Sequence, residues 1–129
     1  MNWQYLEIDE VSLIHQQIIH KAGTKAGVRD FSLLHSAVER PKATYNGLDL
    51  YPTLWLKAAA LLHSLCLNHP FSDGNKRTSW MSAIGFCHLN GYHLNAKTKS
   101  AVNFIKAVDN EKLPLPTIAS WLKKHSQKM

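Results

Sequence analysis

Only two cysteines occur in 129 residues, and nine acidic side chains face fifteen lysines and arginines. Cys66 and Cys87 lie inside apolar, helix-periodic stretches with no Cys or His partner at a zinc-type spacing. That pattern favours buried free thiols in a reducing cytoplasm over a disulfide framework or a zinc knuckle. The scarcity of acids leaves a formal net charge of +6, which attracts something anionic: nucleic acid, a nucleotide or an acidic partner protein. Much of the surplus comes from Lys97, Lys99, Lys106, Lys112, Lys123, Lys124 and Lys128, expected on solvated helix faces because lysines are seldom buried unpaired.

Long apolar runs are missing as well. The longest, Leu54 to Leu67, is broken by Lys57, His63 and Ser64 and falls short of the roughly 20 residues a membrane span needs. It reads as a core helix, and no membrane partner is expected. The opening "MNWQYLEIDE" carries acids where a signal peptide carries lysines, so a cytoplasmic location is expected. Low-complexity tracts are absent, and 45% hydrophobic with 19% charged residues is a globular composition. The length suits a single domain, 1–129, around one core.

No segment alternates with a convincing strand period, whereas apolar residues recur at helical spacing, so the fold class is all-α with about six helices. Asp9 is placed to cap a first helix with Val11, Ile14 and Ile18 inward, closed by Gly23; Asp30 opens a second, ending before Pro41. The connection "PKATYNGLDLYP" is about twice the usual loop length. Thr53 then caps "LWLKAAALLHSLCLN", apolar nearly all round and therefore central, and a fourth helix runs from about Asn75 to Leu89, closed by Gly91. Further helices are expected from about Thr98 to Val108, with Val102, Ile105 and Val108 inward, and from about Thr117, with Ile118, Trp121 and Leu122 inward.

Between the two most apolar helices stands "HPFSDGNKRT", residues 69–78. A neutral imidazole such as His69 is the usual acceptor of a hydroxyl proton near neutral pH. Asp73, Gly74, Asn75, Lys76 and Arg77 fall where the next helix starts, and the free amides and dipole of a helix start favour anions. Magnesium commonly takes a single carboxylate beside phosphates, which suits Asp73. Each residue also has a structural alternative, since Asp and Asn are good caps, Gly suits a turn, and the cations can face water. The combination of base, metal carboxylate and phosphate cradle describes phosphorus-group transfer from a nucleotide to a hydroxyl, a reaction that asks mostly for positioning and charge neutralisation.

The same ten residues resemble the signature of the Fic/Doc family: histidine, any residue, phenylalanine, any residue, an acid, then glycine, asparagine and arginine. "GVRDFSLLHSAVERP", "GLDLYPTLWLKAAALLHSLCLNHPF" and "FCHLNGYHL" extend the resemblance to death-on-curing (Doc) toxins over residues 27 to 94. It implies a compact helical bundle and a nucleotide, ATP or another nucleoside triphosphate, used with Mg2+. His69 would be the base for a target hydroxyl and Asp73 the magnesium ligand. Gly74, Asn75 and Lys76 would form the anion turn, Arg77 would contact phosphate, and Phe71 would anchor the loop. The long connection matches the family's flap, which holds an extended target segment by strand-like pairing. The implied partners are a target protein, a translation elongation factor, and a Phd-like antitoxin; direct nucleic-acid binding is not implied.

Two departures bear on the group transferred. AMP-transferring members carry glycine where this chain has Lys76 and a second arginine where it has Trp80. Doc-like members share the lysine and are associated with transfer of the terminal phosphate. Asp73 and Gly74, in contrast, look more like the AMP-transferring pattern. The self-restraining segment of many Fic proteins needs Ser or Thr four residues before a glutamate; here His35 precedes Glu39 and Ala107 precedes Glu111, which implies restraint in trans.

Competing readings rest on less. Arg29 and His35 fit a short arginine, five residues, histidine pattern of metal-free HEPN-like ribonucleases, and none of the eight histidines forms a helical zinc pair. A non-enzymatic nucleic-acid-binding module would need an exposed recognition helix, whereas the helix after the motif is mostly apolar.

Overall fold

The computed structural model describes residues 2–129. Its helices are α1 (Ile8–Ala22), α2 (Phe31–Glu39), α3 (Leu54–Leu67), α4 (Asn75–Leu89), α5 (Thr98–Asn110) and α6 (Leu115–Lys124). The all-α reading of about six helices holds. Among the described residues no helix is long and apolar enough to cross a membrane.

Local chemistry explains the boundaries. The cap of α1 lies two residues before the expected Asp9: it is Glu7, and the Glu10 carboxylate accepts the Glu7 N–H at 2.9 Å. Asp9 sits in the first turn, where its charge still suits the helix dipole. Asp30 caps α2 through the Leu33 N–H, and Thr53 caps α3 through the Leu56 N–H, as the sequence suggests. Gly23 takes the left-handed conformation that ends α1. Helix α6 begins at Leu115 rather than Thr117, with Pro116 in its first turn, where a missing N–H costs nothing.

The expectation of no strands is corrected twice. Within "PKATYNGLDLYP", β1 (Thr44–Tyr45) pairs antiparallel with β2 (Leu48–Asp49) across Asn46-Gly47. Both turn residues have positive φ, 51° and 76°, the geometry an Asn-Gly hairpin turn requires. Strands this short show no periodicity, and the dipeptide is the signal that was available. Later, β3 (Tyr92–Leu94) pairs with β4 (Ser126–Lys128), joining the end of α4 to the last residues of the chain.

Helix α3 is central, packed chiefly on α4 and α6. Ala58, Ala59 and Ala60 have no exposure at all, and Leu61, Leu62, Leu65 and Cys66 are buried with them. The thiols are free, and burial pushes Cys66 up to about 11 and Cys87 up to about 12. Val102 turns out exposed, at 45%; Ala101, Phe104 and Ile105 carry the inner face of α5. Met81 and Leu89 of the apolar α4 also reach solvent. The seven lysines from Lys97 to Lys128 are exposed as expected. Lys57 is the opposite case, a fully buried lysine within the core helix.

Candidate active site

Residues 68–74 connect the two most buried helices, and most backbone groups of this connection are held. Pro70 has no N–H to continue α3. His69 stands just before it with φ of 48°, an uncommon conformation for a non-glycine residue. The clamp comes from the stretch after α1. Arg29 Nε donates to the His69 carbonyl at 2.7 Å and its Nη2 to the Asn68 carbonyl at 3.1 Å. The N–H groups of Arg29 and Asp30 donate to the Pro70 carbonyl at 2.8 and 3.0 Å, and Ser72 N–H donates to the Gly27 carbonyl at 3.0 Å. Val28 and Phe71 form a single antiparallel bridge.

From below, the Phe71 ring is 1% exposed, a burial that contributes about 1.5–3 kcal/mol for a side chain of this size. His15 of α1 stacks on it at 3.7 Å and donates Nε2–H to the Asp73 carbonyl at 2.8 Å. The Asn75 side chain closes the loop on itself, accepting the Phe71 N–H at 3.0 Å and donating to the Phe71 carbonyl at 2.9 Å. Its side chain is therefore occupied within the protein, and its backbone N–H is what faces the helix start.

The side chains left free are those with chemistry. His69 and Asp73 are exposed. Asp73 Oδ1 accepts the Gly74 N–H at 2.8 Å, leaving its other oxygen for a ligand. Gly74, with φ of 82°, caps α4 without a side chain, so the first-turn N–H groups of Asn75, Lys76 and Arg77 lie open, without helical acceptors. Lys76 does not lie free over that turn: its Nζ pairs with Asp109 Oδ2 of α5 at 3.2 Å.

His69, Asp73, Gly74, Asn75, Lys76 and Arg77 all line one cavity of about 720 Å3, with Ile19, Trp80, Met81 and Ile105 among its apolar wall. That volume falls in the about 300–1,000 Å3 range of small-molecule sites. The six residues singled out from the sequence thus share one space. Arg29 and His35 do not: Arg29 is engaged with the loop backbone, and His35 is on the exposed side of α2, both away from the cavity lining.

The family model that matches residues 5–87 is that of the Fic/DOC family. The chain belongs to this family. A curated relative, "Toxin Doc" of Mycolicibacterium smegmatis, is 57% identical over 74 residues, covering 57% of this chain and 57% of that protein. The chain spans little more than half the length of that relative. In this Fic/DOC chain the signature histidine, acid and helix start converge on one cavity.

Sequence reasoning missed the support beneath the site. His15 lies 58 positions from Asp73, and its place in a helical repeat looks like ordinary packing. Arg29 was legible only as a loose pairing with His35. Asp109, the partner of Lys76, carried no signal, because it is one acid on an otherwise lysine-rich surface.

Proposed function

We propose that this Fic/DOC protein is a Doc-like toxin that transfers the terminal phosphate of ATP to a hydroxyl side chain of a target protein, a translation elongation factor, and so arrests growth. The observation that carries this reading is the convergence of His69, Asp73 and the open α4 start with Lys76 and Arg77 on one nucleotide-sized cavity. His69 accepts the target hydroxyl proton from its fixed place at the loop. The free oxygen of Asp73 holds magnesium, a fit supported by its single, exposed, half-occupied carboxylate. The N–H groups of residues 75–77 and the Arg77 guanidinium hold phosphate oxygens. Bound Mg-ATP supplies an activated phosphoryl group and neutralises its charge.

The β1–β2 hairpin is the flap that holds an extended target segment, and its exposed Tyr45 and Leu48 suit such docking. A Phd-like antitoxin restrains the protein in trans in the cytoplasm, and the net charge of +6 suits an acidic partner helix. The second reading, AMP transfer to the same hydroxyl, is favoured by Asp73-Gly74. Lys76, which Doc-like members share, lines the cavity and supports terminal transfer.

The test incubates the purified protein and a cell lysate with ATP labelled at the terminal or the innermost phosphate. Terminal label on a protein target supports phosphorylation; innermost label means AMP transfer. His69→Ala is expected to lower transfer by about 10²–10⁴-fold. Transfer that survives this substitution unchanged, or no transfer of either label, sinks the reading.

A further inference from the structure

Among the described residues Lys57 is the one lysine with no exposure, at the fourth position of α3. Its Nζ pairs with Asp49 Oδ2 at 3.1 Å and donates to the Pro41 carbonyl at 3.2 Å. The rings of Trp3 and Tyr5 stand 5.6 and 5.7 Å from the ammonium. A charge in such a place is costly unless it is paired, and an apolar side chain of similar volume would pack there at less cost. Burial alone therefore does not account for a lysine at position 57; the geometry of what it binds does.

Asp49 is the last residue of β2, and Pro41 lies just before the β1–β2 hairpin. Every strand residue of that hairpin is exposed, Tyr45 and Leu48 to 73%. Two exposed two-residue strands have no hydrophobic face of their own and are not stable in isolation. One ammonium gripping the chain at both ends of the hairpin holds what packing does not. Other ties, among them the Leu50 N–H to the Ala43 carbonyl at 2.8 Å and the Arg40–Tyr51 contact at 2.9 Å, close the base of the hairpin, while the Asp49 side chain is held by Lys57.

We infer that Lys57 is a positioning residue: it fixes the hairpin through Asp49, and thereby sets the affinity of the protein for the target segment without touching nucleotide. This role rests on the hairpin being the target-binding flap of the reading above. Lys57 and Asp49 are absent from the cavity that holds His69 and Asp73, so the effect on the two substrates separates.

The variants are Asp49→Asn, Asp49→Glu, Lys57→Met and the double Lys57→Met/Asp49→Asn. Met keeps the volume and the core, and Asp49 is partly exposed, so each is expected to fold. Amide hydrogen exchange, which needs no activity, is read first. The Leu50 amide is expected to exchange at least tenfold faster in Asp49→Asn and Lys57→Met, to return towards wild type in Asp49→Glu, and to show no further gain in the double variant, with α3 and α4 protected throughout. Unchanged exchange in both single variants, or additive effects in the double, overturns the anchoring. Steady-state transfer from ATP to a purified translation elongation factor then reads the consequence. The KM for the protein is expected to rise about tenfold with the KM for ATP unchanged; a loss of kcat alone, or an equal rise in both KM values, overturns the role in target affinity. If wild type transfers nothing, the transfer reading fails and with it the target-affinity role, while the exchange result still decides the anchor.

Discussion

The imidazole of His15 lies flat on the Phe71 ring, 7° from parallel at 3.7 Å, while its Nε2–H reaches the Asp73 carbonyl at 2.8 Å. One side chain of α1 thus supports both the apolar anchor and the carboxylate-bearing turn. His15 is 3% exposed, but its bond to the Asp73 carbonyl is only partly buried, so removing the donor costs about the net worth of one hydrogen bond, about 0.5–1.5 kcal/mol. His15→Leu is expected to destabilise by that amount and, where Asp73 holds magnesium as proposed, to raise the magnesium concentration needed for half-maximal transfer. His15→Gln places an amide donor at a similar reach and should recover most of the magnesium response, though not the stacking. Equal magnesium curves for the Leu and Gln variants would count against the donor's role.

At Gly74, two constraints coincide. Its φ is 82°, and an added Cβ would meet Ile19 Cδ1 at 3.1 Å and the His15 ring at 3.6 Å. A left-handed conformation costs a side-chain-bearing residue roughly 1–2 kcal/mol, and the end of Ile19 must give by a few tenths of an ångström. Gly74→Ala is expected to lower the urea midpoint by an equivalent amount. A midpoint at the wild-type value would show that the turn is not held as described.

Arg29 and His35 separate two enzyme classes. If they formed a ribonuclease pair, His35→Ala would abolish toxicity. With Arg29 holding the carbonyls of residues 68 and 69, His35→Ala should leave growth arrest intact in an induced-expression assay. Arg29→Met should weaken arrest and loosen the loop, seen as faster exchange of the Asn68 and His69 amides.

Acid should destabilise the fold through His63. Burial, then the neighbouring charges of Arg40 and Lys112, hold its imidazole below the ordinary 6.5, and Arg40 Nη1 donates to its Nδ1 at 3.0 Å. The unfolded chain therefore binds the proton more tightly than the folded one. Stability is full above about pH 6.5 and falls as the pH drops through that value towards the lower folded-state pKa. The thermal midpoint is expected to fall between pH 7.5 and 5.5, and His63→Gln should flatten that slope. An equally steep slope in the variant would assign the effect to another group.

Elements whose cause is local were open to inspection in the chain itself. Asp30 and Thr53 cap by reaching three residues ahead, Gly23 closes its helix within one turn, and the burial of α3 follows from its own residues. The motif was legible because its chemistry is contiguous: His69 to Arg77 span two turns' worth of chain and face one cavity. The short strands were not, since two residues carry no period, and the Glu7 cap was hidden behind the nearer Asp9.

Composition, periodicity and the ten-residue motif by themselves determined a helical, cationic chain of the Fic/DOC kind and singled out its candidate site residues. Tertiary structure decided what holds them. It brought His15 and Arg29 against a loop some 40 or more positions away, paired Lys76 with Asp109, and turned Lys57 from an interruption in an apolar helix into a buried tie to Asp49. The physical reason is the same in each case. A side chain's local pattern shows which face of its helix it occupies, but a hydrogen bond or ion pair needs its partner within about 3 Å, and only the packed fold sets that distance.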